Sequence, residues 1–224
     1  MHRRFALVAA PLLFAALVAA TPPKRRAAPP PPPAPLGDTV RVAITTELGP
    51  IEVELDHAHA PLTVENFVRY VDTKRFDGMT FYRAMHLAWG DQPNGLIQAG
   101  LSGDPRKVLP PVAHEPTSQT GIHHKAGAIS MARFAPGTAT ADFSILLSDI
   151  PQLDADPAAA DADVQAGFAA FGHVVAGMDV VRRIWDAPLS PTKGEGPLKG
   201  QLLDPAIKVL TVRRAPMPAP QPVP

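Results

Sequence analysis

Val40-Arg-Val-Ala-Ile-Thr45 and Ile51-Glu-Val-Glu-Leu55, separated by Gly49-Pro50, decide the architecture. Val40, Val42 and Ile44 alternate with Arg41, Ala43 and Thr45, and the same period of two resumes in Ile51, Val53 and Leu55 against Glu52 and Glu54. A period of two with a turn between the runs predicts a half-buried β-hairpin. Working outward, Pro61 opens a helix where its missing N–H costs nothing, and Val64, Phe67, Val68 and Val71 form one apolar stripe. Gly78 closes it. Short β-type runs follow at Thr80 to Met85, Leu96 to Ala99, Ala128 to Ala132, Phe143 to Leu147 and Phe171 to Val175. A second helix opens at Met178-Asp179, where the acid suits the positive end of the helix dipole; Met178, Val181, Ile184 and Trp185 are its expected buried stripe. Ile207, Val209 and Thr211 mark a closing strand.

About eight short strands and only two helices do not alternate as a parallel α/β fold would. The pattern predicts a mainly β fold, a closed eight-stranded antiparallel β-barrel capped by two α-helices, with the first and last strands paired so that no sheet edge is left open.

Composition narrows the function classes. Among 224 residues, 21 basic and 21 acidic side chains cancel, so no basic footprint for nucleic acid exists. Absence of cysteine excludes thiol nucleophiles, disulfides and cysteine-built zinc sites. Half of the 28 prolines lie before Leu36 or after Ala215, leaving ordinary globular usage between. The chain therefore divides into residues 1–20, 21–37, 38–214 and 215–224. Residues 1–20 have a charged start, His2-Arg3-Arg4, and an apolar run from Phe5 to Ala20, shorter than the roughly 20 residues of a membrane span; they read as a signal peptide for export. Residues 21–37 read as a proline-rich linker, 38–214 as the folded domain, and 215–224 as a proline-rich disordered tail. No stable membrane association is expected once the signal is removed.

The segments Pro61-Leu-Thr-Val-Glu-Asn-Phe67, Phe76-Asp-Gly-Met-Thr-Phe-Tyr-Arg83, Gly95-Leu-Ile-Gln98, Gly127-Ala-Ile-Ser-Met-Ala-Arg133 and Phe171-Gly-His-Val-Val-Ala-Gly-Met178 come in the order found in one family. Over roughly Val40 to Val212 the chain resembles the cyclophilin-type peptidyl-prolyl cis-trans isomerases. Pro110-Pro111-Val112 with Glu115, and Pro136-Gly-Thr-Ala-Thr140, look like the family's bacterial exported branch.

The resemblance implies catalysed rotation about the peptide bond preceding proline, without a cofactor or metal, in proline-containing segments of exported proteins. It also suggests a monomer in the periplasm. Arg83 matches the arginine that donates a hydrogen bond to the prolyl nitrogen, and Gln98 the glutamine that braces it. Leu96, Ala132, Leu153 and Phe168 match walls of the proline pocket, and Arg133, Asp142 and Ser144 match further substrate-binding positions. Gly95 stands where a pocket phenylalanine is expected, Ser144 where a second one is, and Asp142 replaces a glutamine. An Asp142–Arg83 salt bridge, holding the catalytic donor away from substrate, is one expectation. A binding module of the same shape with little catalysis is the alternative function.

Arg83 and Gln98 stand 15 positions apart, wider than the family's spacing, so Ala84 to Asn94 holds an insertion. Within it Trp89 is a candidate to fold over the pocket, a place on the barrel rim being the alternative. A second insertion, Ala155 to Gln165, reads as a solvated acidic loop. Asp56-His57-Ala58-His59 and His123-His124 match no standard metal spacing. His86, His114 and His173 have no acid or serine partner at a readable spacing, so no hydrolase triad is expected.

Overall fold

The computed structural model describes residues 35–217. Residues 1–20, read as a signal peptide, nearly all of the expected linker, and residues 218–224 of the expected tail lie outside the described residues. No helix among the described residues is long and apolar enough to cross a membrane.

Eight antiparallel strands form the closed barrel: β1 Thr39–Thr46, β2 Gly49–Asp56, β3 Thr80–His86, β4 Gly95–Gly100, β5 Ala128–Met131, β6 Phe143–Leu146, β7 Ala170–Ala176 and β8 Leu202–Arg214. Around the barrel they run β1-β2-β7-β5-β6-β4-β3-β8, and β8 returns to β1 with Val42 opposite Arg214 and Ile44 opposite Val212. The expected hairpin is present with Val42 facing Val53 and Ile44 facing Ile51. All four of these side chains are fully buried. The alternation that predicted strands is thus the alternation between barrel interior and solvent.

Two helices cap the barrel as expected, α1 Pro61–Asp72 and, much later, α4 Met178–Trp185. Between them lie two short helices that periodicity did not predict, α2 Thr117–Thr120 and α3 Ala162–Ala166. Four or five residues are too few to show a 3.6-residue repeat. The stripe of α1 is buried throughout, and its Phe67 plugs the barrel: the ring lies 5.0 Å from Phe76, 5.3 Å from Phe143 and 5.4 Å from Phe171. In α4 the buried face is Val180, Val181, Ile184 and Trp185; Met178 is half-buried, with Val180 taking the place expected of it.

The N-terminus of α1 has no side-chain cap of its own, because Ala60 stands at the capping position. Glu115 supplies the cap from a distant loop, accepting from Leu62 N at 3.2 Å, Thr63 N at 2.7 Å and Thr63 Oγ1 at 2.6 Å. Orphan N–H groups at the start of a helix need such acceptors when buried.

Candidate active site

Strands β3, β4, β6 and β5 lie side by side, and their register sets four polar residues in a row. Arg83 is opposite Gln98, Gln98 opposite Ser144, and Ser144 opposite Ser130. Directly opposed residues share a sheet face. Here that face is the outside of the barrel, where the row forms the floor of a cavity of about 240 Å³. Leu96, two residues before Gln98, Ala132, Arg133, Leu153 and Phe168 complete it, with Met85, Ser130 and Met131. Eight of the nine residues expected at the site from sequence are therefore brought together here; Asp142 is the ninth. It lines an adjoining cavity of about 660 Å³ that shares Arg83, Gln98, Ala132, Arg133 and Phe168 and extends to Tyr82, Phe134 and Leu198.

Arg83 is held at three points. Nε donates to Gln201 Oε1 at 2.8 Å, Nη1 donates to Gln98 Oε1 at 2.9 Å, and Nη2 lies 3.5 Å from Met85 Sδ. A guanidinium has five N–H donors in a planar fork, so two remain for a substrate. Burial lowers the Arg83 pKa, yet an arginine stays charged through the range in which proteins work. The result is a rigid cationic donor, partly stripped of water, beside an apolar wall.

The expected Asp142–Arg83 salt bridge does not form. Asp142 Oδ1 accepts from Leu101 N at 2.7 Å and Ser102 N at 3.1 Å, and Oδ2 accepts from the Tyr82 hydroxyl at 3.0 Å. Burial, and next the negative charge of Asp142, raise the Tyr82 pKa, which keeps its hydroxyl protonated and donating. Gly100 makes this approach feasible: a Cβ there would stand 2.0 Å from Asp142 Oδ1. The acid serves the turn after β4, not the arginine.

Gly95 also differs from the expectation that a pocket ring is simply missing. A Cβ on Gly95 would point at the Met85 carbonyl oxygen, 1.9 Å away, and at the Trp185 indole nitrogen, not into the cavity. Its φ of +148° belongs to glycine. Trp185 Nε1 donates to Met85 O at 3.1 Å and its ring stacks on His86 at 3.8 Å, so α4 braces β3 where a ring on β4 would have intruded. Met85, missed from sequence, stands in the wall instead. Trp89 is half-exposed and does not line the pocket, so it does not fold over it.

Arg133 is committed to the second insertion. Its guanidinium donates to Asp163 Oδ1 at 2.9 Å and Gly167 O at 2.7 Å, and lies 4.7 Å from the Phe168 ring centroid. The acidic insertion is therefore not wholly solvated: Asp161 caps α3, and Asp163 clamps an arginine of the pocket wall.

Among the described residues neither histidine pair joins a metal-ligating cluster, but the pair His123-His124 has a partner that the sequence reading did not name. His123 and His124 share one carboxylate, Asp154, through Nδ1 contacts of 2.8 Å and 2.6 Å. Beyond it, His124 Nε2 meets Ser130 Oγ at 2.8 Å. An Asp–His–Ser chain thus exists at the pocket floor although none was expected. The partners are six and thirty residues from His124, separations that no local motif encodes.

A barrel of this topology, with a pocket for an apolar residue flanked by a charged donor, defines a peptide-binding enzyme of the proline-isomerase class. Residues 41–208 match the family described as cyclophilin-type peptidyl-prolyl cis-trans isomerase/CLD, and the chain belongs to that family. It is 33% identical over 153 residues to a peptidyl-prolyl cis-trans isomerase of Acinetobacter baylyi, covering 66% of this chain and 73% of the relative. It is 35% identical over 150 residues to peptidyl-prolyl cis-trans isomerase A of Dickeya dadantii, covering 65% and 71%. Its fold is also that of a crystallised Cryptosporidium parvum cyclophilin-type isomerase, with a TM-score of 0.62 at 18% identity over 79% of this chain and 99% of the other. The chain is accordingly a cyclophilin-type isomerase acting on Xaa-Pro bonds.

Proposed function

We propose that this isomerase works through Arg83, in the manner of the family's bacterial exported branch, on proline-containing segments of exported proteins. The uncatalysed rotation faces a barrier of about 18 to 20 kcal/mol because the planar amide holds its nitrogen lone pair in resonance. As the bond twists, the nitrogen becomes pyramidal and the pair becomes an acceptor. A donor waiting there stabilises the twisted state and not the planar one. Arg83 has two uncommitted N–H groups for this task, while Gln98 and Gln201 keep the fork from swinging. Leu96, Leu153, Phe168 and Ala132 receive the proline ring. Ser144 and Asp142 border the substrate's path, and Arg133 supports the wall that holds Phe168.

The observation that carries this reading is the Arg83–Gln98 pair at 2.9 Å on the pocket floor. In this reading residues 1–20 direct export, with 21–37 as a spacer, 38–214 as a monomeric catalytic domain and 215–224 as a tail, and the charged start and apolar run of residues 1–20 support a periplasmic address. Exchange NMR on a set of Xaa-Pro peptides, comparing the protein with Arg83→Ala, tests the mechanism. A fall in exchange of about tenfold or more supports it. Equal acceleration by both forms removes Arg83 from the reaction.

A further inference from the structure

The chain Asp154–His124–Ser130 has the geometry from which serine hydrolases are built, with contacts of 2.6 Å and 2.8 Å. Acyl transfer also needs N–H donors for the oxyanion. The backbone groups beside Ser130 are spent: Met131 N donates to Ala169 O at 3.0 Å and Ala132 N donates to Asp142 O at 2.8 Å. No free backbone N–H therefore stands at Met131 or Ala132 to hold an oxyanion. What the Asp154–His124–Ser130 chain touches is the pocket, through Ser130 on the floor and through Leu153, the neighbour of Asp154, on the wall.

The proton arrangement can be counted. His124 has a side chain with no exposure, and burial depresses its pKa although Asp154 opposes the shift. The imidazole is thus neutral near pH 7. Burial alone would raise the Asp154 pKa, but the bonds from His124 and then His123 keep it below the ordinary carboxylate value. An ionised carboxylate only accepts, so the single imidazole proton sits on Nδ1 and Nε2 carries a lone pair. The proton between Nε2 and Oγ must then come from Ser130. The Ser130 hydroxyl is turned toward His124 and away from the pocket, so Ser130 presents the incoming proline ring with no donor that would have to be desolvated.

We propose that His124 and Asp154 are positioning residues for substrate binding, acting through Ser130 to keep its hydroxyl turned out of the pocket. This rests on the reading of the pocket as the prolyl site. When His124 loses its acceptor or gains a proton, Nε2 no longer takes the Ser130 hydroxyl, which turns into the cavity and holds water there. Proline binding weakens while the chemistry at Arg83 is untouched. The charged and titratable groups around His124 are Asp154, His123 on the other oxygen of that carboxylate, and Lys125, which is tied to Asp149 at 2.9 Å.

The test compares His124→Leu with His124→Gln in the full chain, measuring KM and kcat by exchange NMR with an Ala-Pro peptide at pH 7.5. Leucine removes the acceptor; glutamine can keep one facing Ser130 and does not titrate. The expected result is a KM raised about fivefold by leucine and restored within twofold by glutamine, with kcat steady in both. In the unmutated protein KM rises as acid protonates His124; that rise is absent from His124→Gln and persists in His123→Ala. Equal KM in the leucine and glutamine forms, or a loss confined to kcat, overturns the proposal. If neither variant folds, nitrogen-15 shifts of the His124 ring in the unmutated protein decide: an Nδ1–H, Nε2-acceptor imidazole supports the relay and the opposite tautomer ends it. If the protein accelerates no exchange, the isomerase mechanism fails, while peptide Kd from the same titrations takes the place of KM and still judges the relay.

Discussion

Gln201 holds Arg83 from the side opposite Gln98, its Oε1 accepting from Arg83 Nε at 2.8 Å across 118 residues of sequence. The two glutamines use different edges of one guanidinium, so each fixes what the other leaves free to rotate. Proximity effects in catalysis depend on such fixed geometry. Gln201→Leu is expected to lower kcat by about threefold to tenfold with KM little changed, since the donor survives but loses its aim. Steady-state exchange measurements on both parameters check this; a change in KM alone would place Gln201 in substrate binding instead.

Ser144 and Gly95 occupy the two positions where family resemblance expects rings, and they should respond in opposite ways to receiving one. Ser144 lines the cavity and is half-buried, with room on its open side. Ser144→Phe is expected to lower KM about tenfold, from roughly 1 to 3 kcal/mol of added apolar contact. Gly95→Phe would drive its Cβ into the Met85 carbonyl, and should destabilise the fold by about 3 kcal/mol or more. Urea denaturation of the second variant and peptide kinetics of the first separate the cases.

The Asp142 carboxylate satisfies two backbone N–H groups and a buried tyrosine hydroxyl at once. Asp142→Ala leaves these donors without partners and is expected to cost about 1 to 3 kcal/mol of stability. Thermal or urea denaturation reads the loss. Tyr82→Phe, which removes one donor along with its need for a partner, should cost less.

The barrel was legible because its signals are local. Alternation in Val40 to Leu55, the stripe from Val64 to Val71, and five motifs in family order each sit within 16 residues or fewer. Arg83, Leu96, Gln98, Ala132 and Arg133 came with those motifs, Ser144, Leu153 and Phe168 with positions the resemblance matched between them, and all eight meet in one cavity. Gln201 and Met85 were missed because neither belongs to a quoted motif, and only the barrel closure brings Gln201 to Arg83. Asp142 was assigned the wrong partner for a related reason: a charge beside an arginine suggests an ion pair, but unpaired N–H groups in the turn after β4 compete for the same oxygens. The Asp154–His124–Ser130 chain was hidden by separation in sequence, and no periodicity marks it.

Glu115 caps α1 from a loop more than 50 residues away and is itself only 2% exposed. Glu115→Ala removes the acceptor for three donors at the helix start, so a loss of about 2 to 3 kcal/mol is expected, above that of a surface cap. Glu115→Gln retains one carbonyl oxygen and should recover part of it. Chemical denaturation of the three proteins orders them; equal midpoints would show that water replaces the carboxylate there.

The dependence of stability on pH separates His124 from the carboxylates. His124 has a folded-state pKa below its ordinary value, with burial as the main cause, while in the unfolded chain it titrates near about 6.5. Between those two values the unfolded state binds more protons than the folded one, so stability rises with pH there and falls as acid is added through that window. Asp77, which accepts from Arg213, and Asp149, which accepts from Lys125, also have lowered pKa values. Their contributions, however, are present above the ordinary aspartate value of about 3.9 and disappear only as pH drops below it. A decline beginning near pH 6.5 therefore belongs to the buried imidazole, and one beginning near pH 4 to the aspartates. His124→Gln is expected to flatten the first limb and keep the second, as read from urea midpoints taken at half-unit steps between pH 4 and 8. The kcat should follow neither limb between about pH 6 and 9, because the donor Arg83 stays charged throughout that range. A bell-shaped kcat in that interval would mean that a titrating acid or base, not the arginine, turns the peptide bond.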